Sequence, residues 1–474
     1  MRISPQLKEA VAWQAKKELV RRYAKDKDIL NWGKVLFPDK FELPFCQEMH
    51  QYFVDIRDEE FTSTEAPREF GKTLVNCFLI PLFMALETPK RYLHYCNVQS
   101  TITKGKAINI AIKHELESND LLISVYKNQV DNAKWTEKQF VLSNGVVFTA
   151  VGSGESIRGL AYKGVRPDYI IADDLYDEED IHNIESTQKI TNWFWSTLYP
   201  ARASTRRNCT HIQGTAINKA DIMFTMIDKA KQLKTIKAVC KTFQAIIDEG
   251  KKEVLWKEFR SWDALMDEKN VMMGTVIFNR ERMNVRSSAE ESVIKETFIR
   301  YYDEIPEGKK IVRRIGSCDP SVGEKLTNDF TAMAAIYLVE TPGAPGIYDY
   351  YIEDLVNQHL SLNLRVMKLD SFNERHDFNE VRIESIGAFK DFAAEVKRRT
   401  DLIVKVIDHV KNKMYNLERE SPKFENGRVW VKRSIPVDLR NKLVEQLTNN
   451  ESIKDDLRDA VLLGLRSKKK VMVC

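Results

Sequence analysis

The chain has 474 residues, 43% of them hydrophobic and 30% charged, which predicts two or three domains with a sizeable core and no long disordered tracts. Its net charge of +4 is only mildly basic, so a nucleic-acid partner would have to bind local patches. The seven cysteines are dispersed without a C-x-x-C pair, which favours reduced thiols in a cytosolic compartment over a disulfide framework. Neither a membrane span nor a signal peptide is predicted.

The first half of the chain alternates short apolar runs with amphipathic helical patterns. The first 60 residues are predicted to be largely helical, and residues 250–305 to form helices plus a connector. The predicted strands are Arg91–Val98, Gly145–Gly152, Asp168–Asp173 and Cys209–Ala216, with a helix over Thr101–Ser118 between the first two. Strands that alternate with helices favour a mostly parallel, doubly wound sheet.

A different order of elements is predicted after residue 310. Three strands follow one another from Ile311, as in a meander. They are followed by helix 361–375, strand 380–384, helix 390–399, strand 403–407 and two final helices. The order βββ-α-β-α-β-α differs from that of the first half and predicts a second α/β domain.

The segment Ala66–Thr73, APREFGKT, ends like a phosphate-binding loop but begins differently. The P-loop pattern is G-x-x-x-x-G-K-[ST], and here Ala66 stands where the first glycine is expected. In such loops, backbone N–H groups surround phosphate oxygens, the lysine neutralises their charge and the threonine holds a metal ion. Gly71, Lys72 and Thr73 therefore predict a nucleotide site, although Gly-Lys-Thr alone is common by chance.

A second motif strengthens this interpretation. In RPDYIIADDL, Asp173 and Asp174 directly follow an apolar run of β type. An acidic pair at the end of a buried strand is the Walker B arrangement, in which one carboxylate holds Mg²⁺ and the next orients or deprotonates the attacking water. The alternative, without a catalytic role, is a strand followed by an acidic turn. The two motifs in order, separated by further predicted strands, make coincidence the poorer explanation.

Three other residues are assigned to the nucleotide site as hypotheses. Arg158, in the Gly/Ser-rich stretch GSGESIRGL, could stabilise γ-phosphate charge in cis or from a neighbouring subunit, or could be an ordinary surface arginine. Thr215, in IQGTAI, could sense hydrolysis at a strand end, or could simply belong to a turn. Arg68, within the loop, could reach the phosphates as a second cation.

Acidic residues recur at strand and helix ends in the second half. Asp319 follows the first strand, Glu384 ends the fourth, and Asp455, Asp456 and Asp459 lie on the last helix. Such like charges are unfavourable together unless a cation neutralises them. Carboxylates without His or Cys suit Mg²⁺ or Mn²⁺, and two such ions can clamp the oxygens of a phosphodiester. The pattern resembles the layout of an RNase H-like nuclease.

Over nearly its whole length the sequence resembles the large terminase subunit of tailed bacteriophages, the motor that packages and cuts viral DNA. PREFGKT matches the family's deviant Walker A loop, and SIRGLAYKGVRPDYIIADDL matches its Walker B region. IQGTAINKADIM matches the coupling motif, with Thr215 and Asp221, and CDPS, IESIG and DDLRDA match the nuclease motifs. The segment WKEFRSWDAL…GTVIFNRERMN resembles the stretch that leads out of the ATPase domain.

The resemblance also implies roles for individual residues. Gln47 and His50 would lie near adenine, Arg68 would be the loop arginine, and Arg158 is a candidate arginine finger. Asp174 stands where many members of the family have glutamate, which shortens its reach to water by one methylene. Among the three acidic residues of the last helix the assignment stays open, with Asp456 slightly preferred.

The architecture and partners follow from the same resemblance. Residues 1–300 are expected to form a P-loop ATPase domain that uses ATP with Mg²⁺, and residues 301–474 an RNase H-like nuclease domain that uses two Mg²⁺ or Mn²⁺ ions. Expected partners are double-stranded DNA, the portal protein, a small terminase subunit and further copies of the chain in a ring of five on the procapsid. The expected location is the host cell cytoplasm.

Two alternatives are weighed against this interpretation. A DNA-dependent ATPase of helicase type would lack metal-dependent cleavage, and a non-enzymatic assembly scaffold would have lost both sites. The intact Lys72, Thr73 and Asp173, with the full acidic set, argue against the scaffold.

Overall fold

The computed structural model describes residues 5–157, 160–181, 183–232, 234, 237–286, 292–320, 330–341, 347–385, 389–408, 413–449 and 455–466. The chain forms two compact units. Unit 1 comprises Met1–Leu265 and Phe278–Ser287, and unit 2 comprises Met266–Ile277 and Ser288–Cys474. The last change from unit 1 to unit 2, after residue 287, therefore lies before the domain boundary at residue 300 that the sequence predicts. No helix among the described residues has the length and apolarity that crossing a membrane requires.

Unit 1 is built on an eight-stranded sheet with the strand order β3-β4-β5-β2-β6-β7-β1-β8. Its strands are β1 (Phe61–Glu65), β2 (His94–Gln99), β3 (Val130–Trp135), β4 (Gln139–Leu142), β5 (Val147–Gly152), β6 (Tyr169–Asp173), β7 (Cys209–Gly214) and β8 (Ala238–Thr242). Neighbours from β5 through β8 pair in parallel, whereas β3, β4 and β5 pair antiparallel. A short antiparallel pair follows, β9 (Ile246–Asp248) and β10 (Glu253–Val254). The mostly parallel sheet agrees with the sequence prediction.

Helices precede, connect and follow these strands. They are α1 (Pro5–Asp26), α2 (Ile29–Leu36), α3 (Gln47–Ile56), α4 (Ile80–Glu87), α5 (Ile102–Ser118), α6 (Asp120–Tyr126), α7 (Glu178–Ile181), α8 (Ile184–Trp193) and α9 (Ile222–Ala230), and then α10 (Trp262–Asp267) and α11 (Gly274–Glu281) farther along the chain. A π-helical segment, Leu74–Leu79, precedes α4, so the chain is helical from Lys72 to Glu87. Because parallel strands need crossovers, this alternation places the carboxyl ends of the strands along one edge.

The strand β1, which leads into the phosphate loop, is absent from the sequence prediction. Its sequence FTSTE contains one apolar residue, yet all five residues are buried. Two of its polar side chains are paired inside the sheet: the Thr62 hydroxyl lies 2.8 Å from His211 Nδ1, and the Thr242 hydroxyl donates to Glu65 Oε2 at 2.8 Å. Such pairing lowers the cost of burying polar groups, which helps a polar segment to form a central strand.

Unit 2 contains a seven-stranded sheet in the order β11-β17-β14-β13-β12-β15-β16. Its strands are β11 (Arg300–Tyr302), β12 (Ile311–Asp319), β13 (Thr331–Glu340), β14 (Tyr348–Gln358), β15 (Glu380–Ser385), β16 (Val404–Asp408) and β17 (Val429–Lys432). The strands β12, β13 and β14 form the predicted antiparallel meander, and β15 and β16 add in parallel. The four-residue β17 is not predicted; it pairs in parallel between β11 and β14.

Helices pack on both faces of this sheet. They are α12 (Leu362–His376), α13 (Phe389–Arg399), α14 (Lys413–Glu425), α15 (Val437–Thr448) and α16 (Asp456–Leu465). Alternate residues of β13 separate the two cores: Ala332, Ala334 and Ile336 pack with residues of α14, α15 and α16, whereas Met333 and Ala335 pack with α12 and α13. This period of two is the expected consequence of strand geometry. It fixes α16 against the strands that carry the acidic residues.

Candidate nucleotide and metal sites

The phosphate loop leaves β1 without needing a glycine at its first position. The Ala66 N–H donates to the Gly214 carbonyl at 2.9 Å, which continues the pairing of β1 with β7, and Ala66 is fully buried. The left-handed turn comes later, at Glu69 (φ 70°) and Gly71 (φ 82°). Position 66 can therefore carry a Cβ atom, because the conformation that favours glycine lies at positions 69 and 71.

Residues near 280 hold this loop in place. Glu69 Oε2 accepts a hydrogen bond from Arg282 at 2.9 Å and lies 3.5 Å from the Arg260 guanidinium. Arg282 Nη1 also donates to the Arg68 carbonyl at 2.7 Å, and the Arg68 N–H donates to the Glu281 carbonyl at 2.9 Å. The left-handed conformation of a non-glycine residue is unfavourable by itself, so these contacts are what make it stable.

His50 supports the loop from beneath. Its Nδ1 accepts from the Cys46 N–H at 3.1 Å, so the neutral ring donates from Nε2 to the Phe70 carbonyl, 2.7 Å away. Burial lowers the pKa of His50 to about 4, which keeps the ring neutral. A Cβ at Gly71 would lie 2.9 Å from His50 Nε2, so only glycine fits there. Trp256 packs edge-on against His50 with ring centroids 4.9 Å apart.

These contacts give His50 a place beneath the loop, where it is 2% exposed, and not the open position that a contact with adenine requires. Gln47, the first residue of α3, is exposed. Its assignment to the nucleotide site stays a prediction. The segment around Trp256, which resembles the stretch that leads out of the ATPase domain, packs against His50 and Phe70 of the loop region.

Lys72 and Thr73 start the helix after the loop and meet the two aspartates at the end of β6. The Thr73 hydroxyl donates to Asp173 Oδ2 at 2.7 Å, and Lys72 Nζ lies 3.3 Å from Asp174 Oδ2. Lys72 is buried, which alone would lower its pKa, but Asp174 and Asp173 outweigh burial and raise it. Both motifs found in the sequence thus converge at one place.

Asp173 is surrounded by side chains from neighbouring strands. Gln99 Nε2 donates to its Oδ2 and Gln213 Nε2 to its Oδ1, both at 3.0 Å. Gln213 in turn accepts from Asn76 Nδ2 at 2.8 Å. Burial, and then the charge of Asp174, raise the pKa of Asp173, while Lys72 lowers it. Neither glutamine is among the residues predicted from sequence, although both stand at or near strand ends, where side chains of parallel strands meet.

Asp174 borders a cavity of about 570 Å³. Its backbone is left-handed, with φ 42°, which turns the side chain away from the line of β6. The cavity is lined by polar residues including Arg68, Thr101, Lys104, Thr215 and Glu281, together with apolar residues of β7 and α9. The Arg68 guanidinium lies 3.3 Å from Glu281 Oε2 and is 59% exposed, so it faces solvent beside the loop. The cavity brings Arg68, Asp174 and Thr215 together.

Two other residues of the matched motifs have structural contacts. Asp221 caps α9 and accepts from Arg286 Nη2 at 2.9 Å, and it is fully buried. Asp168, in RPD, accepts from the backbone N–H groups of Leu93 and His94 and pairs with Arg206 at 2.7 Å. Both carboxylates hold elements of the sheet and loops in register. Arg158 lies outside the described residues, so its role stays a prediction.

The acidic residues of unit 2 converge at the ends of adjacent parallel strands. Asp319 ends β12, and Glu384 lies next to last on β15. With Asp459 of α16 they line one small cavity, which Lys413 and Arg466 also border. Burial, and then the charges of Asp459 and Glu384, raise the pKa of Asp319 well above its ordinary value. Asp319 is therefore close enough to both other carboxylates to be repelled by their charges.

The remaining two acidic residues of the last helix lie differently. Asp455 pairs with Lys413 and with Arg458, each at 2.7 Å. Asp456 is the first residue of α16 and is not among the residues that line the cavity of Asp319 and Glu384. Asp459 lines this cavity and Asp456 does not, although the charge of Asp456 also raises the pKa of Asp319. The preference for Asp456 made from sequence stays a prediction.

This donor set fits a hard divalent cation, since a buried carboxylate such as Asp319, whose pKa is raised by burial and by neighbouring carboxylates, is stabilised by a counter-charge. Within the described part of the chain, however, no three Asp, Glu, His or Cys side chains are already arranged around a common metal position. Instead Lys413 lies between Asp455 and Asp459, and Arg466 lies 3.8 Å from Glu384. The carboxylates can bind a metal ion once Lys413 and Arg466 move away from them.

Comparison with known proteins supports the fold. No protein-family model and no curated protein sequence matches the chain. Two structures of the large terminase from one thermophilic bacteriophage, the first in complex with ADP, align with TM-scores of 0.52 and 0.53 at 14% identity, covering 89% of this chain and 98% of theirs. The large terminase of bacteriophage HK97 aligns with a TM-score of 0.38 at 12% identity, over 88% of this chain and 94% of its own. By the first two alignments, the chain has the fold of a large terminase, with two successive α/β units, which agrees with the fold class predicted from its sequence.

Proposed function

We propose that this protein is a viral DNA-packaging motor, in which unit 1 hydrolyses ATP to drive double-stranded DNA into a procapsid and unit 2 cuts the concatemeric genome. The observation that supports it most is the meeting of Lys72 and Thr73 with Asp174 and Asp173 across the loop. A chance Gly-Lys-Thr would not be expected to meet a chance acidic pair in this way. The likeness of fold to a terminase solved with ADP supports the same assignment.

In the proposed ATPase site, the backbone of the loop and Lys72 bind the phosphates and neutralise their charge. Mg²⁺, held by Thr73 and Asp173, would supply further charge neutralisation. Asp174 faces the cavity, where it orients the attacking water and accepts its proton. Gln99 and Gln213 keep Asp173 in one orientation. Arg68, which pairs with Glu281 and lines the same cavity, would serve as a second cation for the phosphates, and Thr215, which also lines it, would serve as a sensor of hydrolysis.

In the proposed nuclease site, Asp319, Glu384 and Asp459 hold divalent metal, Mg²⁺ or Mn²⁺, which would activate water and stabilise the charge of the scissile phosphate. Asp455 and Asp456 flank these residues at the start of α16. Recognition of DNA would use mainly phosphate contacts, because a motor must move along any sequence. Assembly as a ring of copies on the portal, aided by a small terminase subunit, belongs to the same proposal.

Digestion of plasmid DNA by the purified chain, with and without divalent metal and ATP, tests this function. Lys72→Ala should lower ATP turnover by about 10³-fold or more while metal-dependent cleavage persists, because the two sites lie in different units. Asp319→Asn should do the reverse. Lys106→Ala and Asp349→Asn are matched controls, since these residues form ion pairs away from both sites.

Retained ATP turnover in Lys72→Ala would contradict the P-loop assignment. Cleavage by Asp319→Asn at the wild-type rate would contradict the nuclease assignment. If the wild-type chain hydrolyses ATP but never cleaves DNA, the helicase-type alternative gains instead.

A further inference from the structure

Lys413 places a positive charge within the acidic cluster of unit 2. It is the first residue of α14, and its Nζ lies 2.7 Å from Asp455 Oδ2 and 2.9 Å from Asp459 Oδ2. Asp455 and Asp459 are one helical turn apart, so the ammonium bridges two carboxylates on the same face of the chain. Lys413 also borders the cavity that contains Asp319 and Glu384.

Two arginines at this site differ from Lys413 in their exposure. Arg458, which pairs with Asp455 and lies 3.5 Å from Asp459, is only 5% exposed. Arg466 is 11% exposed, whereas Lys413 is 51% exposed. Moving either arginine would expose buried surface and would leave a buried carboxylate without its counter-charge, which is costly. The lysine side chain is half in solvent already, so it can turn away with little loss of burial.

The Lys413 ammonium and a divalent ion cannot share these carboxylate oxygens. Both bind within about 3 Å of the oxygens, and at such separations two cations repel strongly even with solvent screening. A metal ion that enters the cluster next to Asp459 must therefore displace the ammonium. The lysine supplies one positive charge where the metal would supply two.

We propose that Lys413 is the residue that sets the metal affinity of the nuclease site: its ammonium competes with a divalent cation for Asp459 and Asp455. The inference rests on the proposed nuclease function. It assigns to Lys413 a role that the sequence motifs do not contain, because the residue lies in none of the acidic segments. Removal of the ammonium should then make metal binding tighter, which is opposite to the effect of removing a ligand.

Calorimetric titration of the full chain with Mn²⁺, in the absence of nucleotide and DNA, tests the inference. Asp319→Asn first identifies the part of the binding that belongs to the nuclease site. Lys413→Met should lower the dissociation constant of that part by about fivefold or more, whereas Lys413→Arg, which keeps the charge, should stay within about twofold. Lys309→Met removes a lysine from an ion pair elsewhere in unit 2 and should leave the constant unchanged.

The outcomes separate the inference from the function on which it rests. Asp319-dependent binding that is equally tight or weaker in Lys413→Met would overturn the competition and leave the nuclease site standing. Absence of Asp319-dependent binding in the wild-type chain would overturn the site and, with it, the inference. If thermal denaturation shows that Lys413→Met is not folded, Lys413→Gln allows the same measurement with a polar side chain.

Discussion

In unit 1, Asp173 accepts hydrogen bonds from the neutral side chains of Thr73, Gln99 and Gln213. In unit 2, the acidic residues meet cations: Asp459 pairs with Lys413, and Asp455 with both Lys413 and Arg458. Both sites bring carboxylates to the ends of parallel strands, but they hold them by different means. Neutral donors fix the position of a carboxylate and leave its negative charge available to a ligand. A cation neutralises that charge until the cation is displaced.

The difference indicates how ready each site is for its ligand. In the nucleotide site, Lys72 pairs with Asp174, and the loop is held by contacts that do not involve phosphate. It is organised in advance of binding. The acidic cluster of unit 2 must exchange partners before a metal ion can enter. Three changes would test this contrast, and the largest effect is expected in unit 2.

Asp459→Asn should lower metal-dependent cleavage by about 10³-fold, while Asp456→Asn should lower it less than about tenfold. The reason is that Asp459 lines the cavity with Asp319 and Glu384, whereas Asp456 does not. Plasmid cleavage at saturating Mn²⁺, with ATP turnover as the internal control, measures both. Equal losses in the two variants would return Asp456 to the site and remove the geometric distinction.

The pH dependence of stability tests whether the His50 ring, beneath the phosphate loop of unit 1, is neutral. Its pKa of about 4 in the folded chain is below the ordinary 6.5, so the unfolded chain binds the proton first. The stability that the neutral ring confers is fully present above pH 6.5 and is lost as the pH falls towards 4. The loss amounts to about 3 kcal/mol, given the shift from 6.5 to about 4.

Urea denaturation between about pH 4.5 and about pH 7.5, followed by fluorescence, measures this dependence. His50→Gln keeps a donor for the Phe70 carbonyl but cannot be protonated, so its stability should fall less steeply with acid than that of the wild-type chain. His114→Gln, at an exposed position of α5, should behave as the wild type does. Identical slopes for wild type and His50→Gln would show that the ring beneath the loop is not held neutral.

Gln213→Ala should lower the turnover of ATP by about 30-fold with a smaller change in KM, because Asp173 loses one of the donors that orient it. Gln139→Ala removes a glutamine of β4 that bonds to Thr149 of β5, away from Asp173, and should leave turnover unchanged. Steady-state kinetics with matched thermal denaturation would separate catalysis from folding. Unchanged turnover in Gln213→Ala would mean that Asp173 does not depend on neutral donors.

The parts of the molecule that can be predicted are those in which the signal is local. Gly71, Lys72 and Thr73 are contiguous, and Asp173 and Asp174 end an apolar run, so each motif is visible by itself. The order of elements from Ile311 to β16 is visible for the same reason, whereas three helices and β17 follow where two helices are predicted. The strands β1 and β17 are not, since FTSTE is mostly polar and VWVK has only four residues. Their burial depends on neighbours in the sheet.

The residues that cannot be predicted depend on strand order. Gln99, Gln213 and Asp173 come from β2, β7 and β6, which are neighbours only because the sheet places β6 between the other two. The contact of His50 with the loop likewise depends on how α3 packs. The choice between Asp456 and Asp459 needs the direction of a helix face. Sequence spacing allows both, and only the folded structure shows that Asp459, but not Asp456, lines the cavity of Asp319 and Glu384.

The anchors of the phosphate loop have a consequence for how the chain folds. Glu69 and Arg282 are 213 residues apart in the sequence, and Glu65 and Arg286, which also pair, are 221 apart. Contacts between such distant residues form late, because a long loop must close first. During synthesis, the loop can be complete only after residue 286 has left the ribosome. A nascent chain that ends before this point should therefore bind no nucleotide, even though both of its nucleotide motifs have already been made.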